Sequence, residues 1–282
     1  MGLTLCPEEN DCRKIMYTYT LKRGIAMEME YVSEFNEKTG IVTGAASGIG
    51  RATAIYLAKL GAKIAIFDLD EARLAETAGE ITAAGYKAPI QLPLDISKEQ
   101  DVIAAVASAA NTLGSIDFLV NSAGILRRTP FLEIETSEWD LMINVNLRAQ
   151  YVICREVLRH MVPRKTGAIV NVASLAGRSC SLLGGAHYTT VKHALVGFSR
   201  HLAREFAATG IRINAFCPGA TRTPMVENST STEELKRLDA AIPRGTVADP
   251  AEHARVIGFM LSDAAINVIG ACIDSNGGSL MI

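Results

Sequence analysis

Short apolar runs alternate with longer stretches of helical periodicity from about residue 39 to the end of the chain. Seven of the apolar runs have the length of β-strands: GIVTG, KIAIFD, PIQLPLD, IDFLVNSAG, GAIVNVAS, IRINAFCPG and GACIDS. Helical periodicity lies near residues 49–60, 71–84, 98–113, 137–163, 187–208 and 250–262. The strands lack strict polar alternation, which is typical of parallel strands buried on both faces. The pattern predicts an α/β fold with helices flanking a doubly wound parallel sheet of about seven strands.

Two segments depart from this pattern. Residues 1–38 mix charges with short apolar patches and contain several methionines, and we expect a weakly ordered N-terminal extension there. Residues 224–245, PMVENSTSTEELKRLDAAIPRG, are the least regular part of the remaining chain. They are the best candidate for a mobile lid over a substrate site. Residues 39–282 contain no linker or repeat and are predicted to form a single domain.

Composition and charge exclude several classes of function. Hydrophobic residues make up 49% of the 282 residues and charged residues 21%, which is an ordinary globular composition. The net charge of −2 leaves no basic excess for binding nucleic acid. No apolar run reaches the roughly 18 residues of a membrane helix, and no secretory signal is evident. The 6 cysteines and 5 histidines show no paired or metal-ligand spacing, which favours reduced thiols in a cytoplasmic protein without a metal site.

A glycine-rich turn joins the first predicted strand to the first predicted helix. TGAASGIG, residues 43–50, places Gly44, Gly48 and Gly50 in a GxxxGxG spacing, related to the dinucleotide turn GxGxxG. Glycine permits the tight turn and lets a pyrophosphate approach without a Cβ in its way. The helix beginning near Ile49 directs backbone N–H groups and its positive dipole end at the phosphates. The turn predicts a dinucleotide site in a Rossmann-like fold; the alternative is a turn that binds no ligand.

An acidic residue ends the second predicted strand. Asp68 lies 18 residues after Gly50, close to the spacing of about 20 at which dinucleotide-binding folds place a carboxylate on the adenine-side ribose. Such a carboxylate accepts hydrogen bonds from both ribose hydroxyls and repels a 2′-phosphate. The neighbouring Ser47 and Leu69 offer no positive charge for that phosphate, so we expect NAD rather than NADP. The alternative role for Asp68, compatible with the first, is a cap on the helix starting near Asp70.

A tyrosine and a lysine lie four residues apart at the start of a predicted helix. In YTTVK, Tyr188 and Lys192 therefore share one face of that helix. An unperturbed phenol has a pKa of about 10, and a nearby ammonium favours the phenolate and lowers that pKa. Tyr188 is thus a candidate general acid/base, and Ser174, at a strand end, could reach the same crevice. The alternatives are an exposed Tyr–Lys pair and a serine that caps a turn.

The motifs follow one another in a characteristic order along the chain: TGAASGIG (43–50), NSAG (121–124), VNL (145–147), Ser174, YTTVK (188–192) and PGATRT (218–223). Together they resemble the short-chain dehydrogenase/reductase family, in its branch with TGxxxGxG and YxxxK, over about residues 39–280. The chain departs from the family pattern at two points. Ser122 stands where Asn is common, and the spacing from Ser174 to Tyr188 is one residue longer than the commonest one.

The resemblance implies a role for individual residues. Tyr188 would exchange the substrate proton, Ser174 would hydrogen-bond the substrate oxygen, and Lys192 would hold the nicotinamide ribose and lower the pKa of the tyrosine. Asn146 would position a water on a proton path to solvent. NAD would be bound by residues from six segments: Gly44, Ser47, Gly48, Ile49, Gly50, Asp68, Leu69, Asp95, Ile96, Asn121, Ala123, Gly124, Tyr188, Lys192, Pro218, Gly219, Thr221 and Thr223.

The resemblance also implies an activity. Residues 39–282 would form a dinucleotide-binding catalytic domain that interconverts a secondary alcohol and a ketone by hydride transfer with NAD. The partners would be a small-molecule substrate and further copies of the chain in a homotetramer, with no nucleic acid or membrane. The alternative is an NAD-binding regulatory protein on the same fold without turnover. Arg127 and Arg128, which follow NSAGIL, either meet an acidic substrate or lie in a solvated loop.

Overall fold

The structure is a computed structural model that describes residues 35–228 and 230–282. Its strands form one parallel sheet in the order β3-β2-β1-β4-β5-β6-β7. The strands are β1 Thr39–Thr43, β2 Lys63–Asp68, β3 Ile90–Pro93, β4 Phe118–Asn121, β5 Gly167–Val172, β6 Ile211–Pro218 and β7 Cys272–Ser275. The chain winds outward from β1 in both directions, so the predicted doubly wound, Rossmann-like sheet is confirmed.

Helices connect the strands on both sides of the sheet. Their bounds are α1 Gly48–Lys59, α2 Glu71–Ala83, α3 Glu99–Leu113, α4 Thr136–Ile143, α5 Ala149–Arg164, α6 Ala186–Phe206, α7 Pro224–Glu227, α8 Thr232–Ala241 and α9 Pro250–Leu261. A π-helical turn, Asn144–Arg148, joins α4 to α5, so the single helix predicted at 137–163 is continuous but changes its winding. Across the described ranges, no helix has both the length and the apolar character needed to cross a membrane.

Each face of the sheet packs against its own layer of helices. The adjacent residues Ile41 and Val42 of β1 are both fully buried, and they belong to opposite hydrophobic clusters. Val42 shares its cluster with residues of α1, α2 and α9, whereas Ile41 packs with residues of α3 and α5. This two-sided burial explains why the strands read as continuous apolar runs rather than as alternating ones.

Among the described residues before β1, Phe35 belongs to the core. Phe35 is buried and packs edge-on against Phe118, with the ring centroids 6.1 Å apart. Residues 1–34 of the predicted extension lie outside the described residues, so the extension's order stays a prediction. The segment 224–245, predicted as the least regular, contains the short helices α7 and α8. A capping box formed by Ser231 and Glu234 begins α8.

A buried arginine on β6 holds the end of α9 in place. The Arg212 guanidinium donates to the carbonyl oxygens of Met260 and Leu261, both at 2.7 Å, and to that of Ser262 at 2.9 Å. A helix end leaves such carbonyls without partners inside the helix, and a cation also suits the negative end of the helix dipole. Arg212 therefore fixes α9 against the sheet at the end opposite to its N-terminal turn.

Two glycine-to-alanine substitutions test the close packing of α1 on the turn that precedes it. A Cβ at Gly50 would lie 2.1 Å from the Gly44 carbonyl oxygen, whereas a Cβ at Gly79, within α2, would meet no atom within 4 Å. We expect Gly50→Ala to lower the free energy of unfolding by about 1–3 kcal/mol. Gly79→Ala should raise it by about 0.5–1 kcal/mol through better helix propensity. Urea denaturation measures both changes, and equal effects would contradict the close approach.

Candidate active site

A cavity of about 790 Å³ opens at the carboxyl ends of the strands, where doubly wound sheets bind ligands. Most of the predicted site residues line it: Gly44, Ser47, Gly48, Ile49, Asp68, Leu69, Asp95, Ile96, Ala123, Gly124, Asn146, Ser174, Tyr188, Lys192, Pro218, Gly219, Thr221 and Thr223. The fold thus brings segments that are far apart in sequence to one wall. Gly50 and Asn121 are the two predicted residues that do not line this cavity.

Gly50 and Asn121 support the cavity from behind. Gly50 packs against the backbone of Gly44, and the Asn121 amide lies in the core, where it donates to Asn171 Oδ1 at 2.9 Å. Sequence reasoning missed the residue that joins the two turns, Thr43. Its hydroxyl oxygen accepts from the backbone N–H groups of Ser122 and Ala123, both at 3.1 Å. The turn after β4 is therefore tied to the end of β1.

The glycine-rich turn has the geometry that a bound phosphate needs. Gly44 and Gly48 adopt positive φ angles of 68° and 53°, a region that favours glycine. A Cβ at Gly48 would lie 2.9 Å from the Thr223 methyl group, so these two wall residues are already in contact. Ser47, the N-cap of α1, makes no side-chain capping bond, which leaves backbone donors of the first turn for a ligand.

Asp68 supports this turn and faces the cavity. Its Oδ2 accepts from the Ala46 N–H at 2.9 Å, and its Oδ1 accepts from the Asp70 N–H at 3.1 Å. The cap of α2 is Asp70, whose side chain accepts from the Arg73 N–H. Arg73 also lines the cavity, with its Nε 3.9 Å from Asp70 Oδ2. The structure therefore places a positive charge near Asp68. This charge was not predicted from the sequence, because only Ser47 and Leu69 were considered as neighbours of Asp68.

Ser174, Tyr188 and Lys192 converge on one wall of the cavity. Ser174 follows β5, where its hydroxyl accepts from the Ala176 N–H at 3.0 Å, and it also hydrogen-bonds the Tyr188 side chain. Lys192, one turn further along α6, donates from Nζ to the Val172 carbonyl at 3.0 Å. Its Nζ lies 5.7 Å from the centroid of the Tyr188 ring. The Tyr–Lys pair is therefore not the exposed surface pair that the spacing alone also allowed.

Burial dominates the protonation of this pair. It raises the pKa of Tyr188 above the usual value, and the hydrogen bond with Ser174 opposes that rise with a smaller effect. The lowering of the tyrosine pKa that the sequence predicted is thus outweighed, because a low-dielectric wall disfavours the phenolate. Burial also lowers the pKa of Lys192 to about 8. The ammonium form of Lys192 still predominates at neutral pH.

Asn146 lies in the π-helical turn, a rare element that often marks functional sites. The side chain is buried, with Oδ1 accepting from the Ile125 N–H at 3.1 Å and Nδ2 donating to the Met142 carbonyl at 3.2 Å. A Cβ at Gly124 would lie 2.7 Å from Asn146 Oδ1 and 3.7 Å from Lys192 Nζ. The missing side chain of Gly124 therefore leaves room for both polar groups.

Two buried histidines brace the site. His187 Nδ1 accepts from the Tyr188 N–H at 2.8 Å, and its Nε2 lies 2.8 Å from Glu138 Oε1. His253, on α9, lies within 3.0 Å of the Thr221 hydroxyl, which is part of the cavity wall. Adjacency to Tyr188 was the one sequence signal for His187. The sequence contains no signal for the contact of His253 with Thr221, because 32 residues separate the two.

The predicted lid contributes one apolar part of the lining: Met225, Val226, Leu238, Ala241 and Ile242. A hydrogen bond links this segment to the loop after β4, because Arg128 Nη2 donates to Thr230 Oγ1 at 2.6 Å. Arg222 and Asp239 form an ion pair at 3.0 Å near the other end of the segment. These contacts hold the segment beside the cavity, and its movement as a lid stays a prediction.

A sequence model of a known family, described as enoyl-(acyl carrier protein) reductase, matches residues 44–279. The chain belongs to the short-chain dehydrogenase/reductase family. Members of this family are oxidoreductases of alcohols and ketones that use nicotinamide cofactors, so the cavity is the candidate active site of such an enzyme. The family resemblance drawn from the motif order is thereby confirmed.

Individual relatives match the chain over most of their length. Oxidoreductase UcpA of Salmonella typhimurium is 35% identical over 251 residues, which cover 86% of this chain and 95% of that protein. Cis-4-hydroxycyclohexanecarboxylate dehydrogenase of Sinomonas cyclohexanicum is 37% identical over 245 residues, covering 86% and 97%. The crystal structure of 3-oxoacyl-[acyl-carrier protein] reductase from Brucella melitensis has a TM-score of 0.84 at 30% identity and covers 100% of this chain and 99% of that one.

The buried His253 predicts a specific loss of stability in acid. Burial lowers its pKa from 6.5 to about 4, so the unfolded chain binds this proton at a higher pH than the native protein does. Stability should therefore fall as the pH drops from 6.5 towards 4, by about 2 kcal/mol at pH 5. In His253→Gln this part of the pH dependence should disappear.

Urea denaturation at pH 7 and pH 5 measures that difference. The matched control is His201→Gln, which removes an imidazole whose side chain is 77% exposed. The same loss between the two pH values in wild type and His253→Gln would show that His253 is not held neutral by its site.

Proposed function

We propose that the protein is an NAD-dependent oxidoreductase that interconverts a secondary alcohol and a ketone, with Tyr188 as the acid/base. The observation that carries this proposal is the hydrogen-bonded pair of Ser174 and Tyr188 on the wall that also contains the glycine-rich turn and Asp68. One relative is named for the dehydrogenation of a cyclic hydroxy acid, which supports a secondary alcohol as the reacting group. The alternative, a regulatory protein that binds NAD without turnover, would not require these two paired hydroxyl groups.

The two hydroxyl groups suit an oxygen whose charge changes during the reaction. In ketone reduction, Ser174 Oγ and Tyr188 Oη would donate hydrogen bonds to the substrate oxygen as negative charge develops on it. The raised pKa of Tyr188 keeps the phenol protonated at neutral pH, so it holds the proton that this oxygen needs. In alcohol oxidation, the Tyr188 phenolate would accept the proton of the substrate hydroxyl. The nearby Lys192 ammonium favours this phenolate form.

The residues of the turn and the strand ends fit a dinucleotide. The phosphates would lie at the first turn of α1, where Gly44 and Gly48 leave no side chain in the way. Asp68 would accept the ribose hydroxyls at the adenine end, with Asp95 beside the base. Lys192 would reach the ribose at the other end. The nicotinamide, when bound, supplies or accepts the hydride, and the protein orients it and manages the proton.

Asn146 would complete a proton path to solvent through a water. Its Oδ1 already accepts one N–H and its Nδ2 already donates to one carbonyl. An amide oxygen has a second lone pair, so the side chain retains the capacity to hold a water. Asn146 Oδ1 and Lys192 Nζ both lie near the position that a Cβ of Gly124 would take, which places this water beside the ammonium in our proposal.

We also propose a homotetrameric enzyme in the cytoplasm. The tetramer rests on the family resemblance, in which α4, α5 and α6 provide the subunit contacts. Sedimentation equilibrium gives the mass of the particle in solution and distinguishes a monomer, a dimer and a tetramer.

Removal of one hydroxyl group tests the acid/base role. Tyr188→Phe should lower kcat by about 10²–10⁴-fold, because the proton donor is lost, while the affinity for NAD stays nearly unchanged. Turnover is followed by the absorbance of reduced nicotinamide on a panel of secondary alcohols, and NAD binding by calorimetry. Tyr151→Phe is the control, since Tyr151 is an exposed residue outside the cavity lining. Appreciable turnover by Tyr188→Phe would contradict the role, and NAD binding without turnover by wild type would favour a regulatory protein.

The cofactor preference depends on two opposite charges at the adenine end. The Asp68 carboxylate would repel the 2′-phosphate of NADP, whereas Arg73 would attract it. We expect Asp68→Asn to lower the ratio of kcat/KM with NAD to kcat/KM with NADP by about tenfold, because hydrogen bonds to a charged group are lost. Asparagine keeps an oxygen that accepts from the Ala46 N–H.

Arg73→Gln should move the same ratio in the opposite direction, towards NAD. The measurement is the pair of kcat/KM values for each cofactor in wild type and the two variants. An unchanged ratio in Asp68→Asn would remove the argument for NAD, and a wild-type preference for NADP would mean that Arg73 outweighs Asp68.

A further inference from the structure

The part of the cavity beyond Tyr188 has an apolar lining. Leu182 and Leu183 come from the loop before α6, and Met225, Leu238 and Ile242 come from the predicted lid. Leu182 exposes 81% of its surface and Met225 43%, so large apolar side chains lie open at this part of the wall. An apolar substrate body would cover them and gain from their burial.

One charged side chain lies on this part of the wall. Arg127 lines the cavity, and its carbonyl accepts from the Gly185 N–H at 2.9 Å. The adjacent Gly184 packs on Tyr188, since a Cβ there would lie 2.8 Å from the ring. At the other end of the loop, the Ile125 N–H is bound to Asn146. The backbone of Arg127 is therefore held between the loop that packs on Tyr188 and the backbone that is bound to Asn146.

The Arg127 guanidinium retains its hydrogen-bonding capacity. Its Nη1 donates to the neighbouring Leu126 carbonyl at 3.1 Å, and within 35–228 and 230–282 it forms no ion pair. Glu138 feels its charge, because Arg127 contributes to the lowered pKa of that carboxyl, but Glu138 is hydrogen-bonded to Thr129 and His187. An arginine has five N–H donors in a planar fork, which suits two oxygens of one carboxylate.

The other charged residues of the lining have different positions or partners. Asp68, Asp70, Arg73 and Asp95 follow β2 and β3, at the proposed adenine end. Lys192 is buried and bound to the Val172 carbonyl. Arg128, next in sequence, is not part of the lining and donates to Thr230 in the predicted lid. Among the described residues that line the cavity, Arg127 is thus the exposed cation that lies on the apolar part of the wall and forms no ion pair.

We propose that Arg127 binds a carboxylate of the substrate, so that the substrate is a hydroxy acid or oxo acid with an apolar ring or chain. This inference rests on the proposed oxidoreductase function and names its substrate class. A single cation matches the single charge of a carboxylate. A phosphate carries more charge, so the nearby Glu138 would repel it more strongly than it would repel a carboxylate. Because Arg127 is exposed, its contribution is modest and decreases with salt.

A pair of probes that differ in one charge tests Arg127 without turnover. Calorimetry compares cyclohexanecarboxylate with cyclohexanecarboxamide on the NAD-loaded protein at low ionic strength. Wild type should bind the carboxylate about tenfold more tightly, as expected for hydrogen bonds to a charged group. Arg127→Gln should abolish this preference, and Arg127→Lys should keep part of it. The control Arg159→Gln removes an equal charge from an arginine that is 67% exposed on α5, and it should change nothing.

Several results would overturn this inference. Wild type could bind the two probes with equal affinity, or it could fail to bind the carboxylate. Arg127→Gln could also keep the preference for the carboxylate. A carboxylate preference that is lost in Arg127→Gln and decreases as salt is added would support it.

Turnover separates this inference from the proposed function. A hydroxycyclohexanecarboxylate and its methyl ester are compared as substrates, and Arg127→Gln should raise KM for the acid about tenfold, leaving the ester unaffected. Equal turnover of acid and ester by wild type would overturn the carboxylate site while the oxidoreductase stands. Absence of turnover on either compound, with the Arg127-dependent binding intact, would overturn the oxidoreductase and leave the carboxylate site standing.

Discussion

Burial of both faces of the parallel sheet is the constraint on which the rest of the structure depends. Helices cover Ile41 on one side of β1 and its neighbour Val42 on the other, so neither face is open to a ligand. The strand ends remain, and in a parallel sheet their carboxyl ends all lie at one edge. Each of the seven strands is followed by a turn that contributes to the lining at that edge. The position of the cavity is therefore a consequence of how the core is packed.

Close backbone contacts keep the turns of this edge in register. Gly50 lies against the carbonyl of Gly44, Thr43 holds the turn after β4, and the Asp68 carboxylate holds the Ala46 N–H. The Thr77 hydroxyl adds a bond from α2 to the Ala45 carbonyl at 2.9 Å. Buried polar groups of this kind are costly without partners. Their mutual satisfaction gives the cavity a rigid wall, and Asp68 serves both that wall and the proposed cofactor site.

Tyr188, the proposed acid/base residue, illustrates how packing competes with local electrostatics. One helical turn separates Tyr188 from Lys192, and that proximity alone would lower the tyrosine pKa. The same packing that brings them together removes water from the phenol and raises its pKa instead. It also directs the ammonium to the Val172 carbonyl. The pair is therefore arranged to keep a protonated phenol next to Ser174, which suits proton donation to a substrate oxygen.

Much of this arrangement is local and could be predicted from the sequence. The seven strands, the helices between them, the glycine-rich turn and the positions of Asp68, Ser174, Tyr188 and Lys192 depend on short-range patterns: apolar periodicity, glycine spacing and the four-residue turn of a helix. The order of these motifs was sufficient to identify the family. Tertiary contacts decided the rest, because they join residues whose separation along the chain leaves no periodic signal.

The side-chain positions show where that limit lies. Asn121 belongs to a predicted cofactor motif, yet its amide turns into the core to meet Asn171. Arg73 lines the cavity at the proposed adenine end because it lies in the first turn of α2. His253 reaches Thr221 because α9 packs on α1 and the sheet. Burial, which reverses the expected shift of the Tyr188 pKa, is likewise a property of the assembled wall. The chain by itself determined which residue types meet at the strand ends, and three-dimensional packing decided which of them face the cavity and in what state of charge.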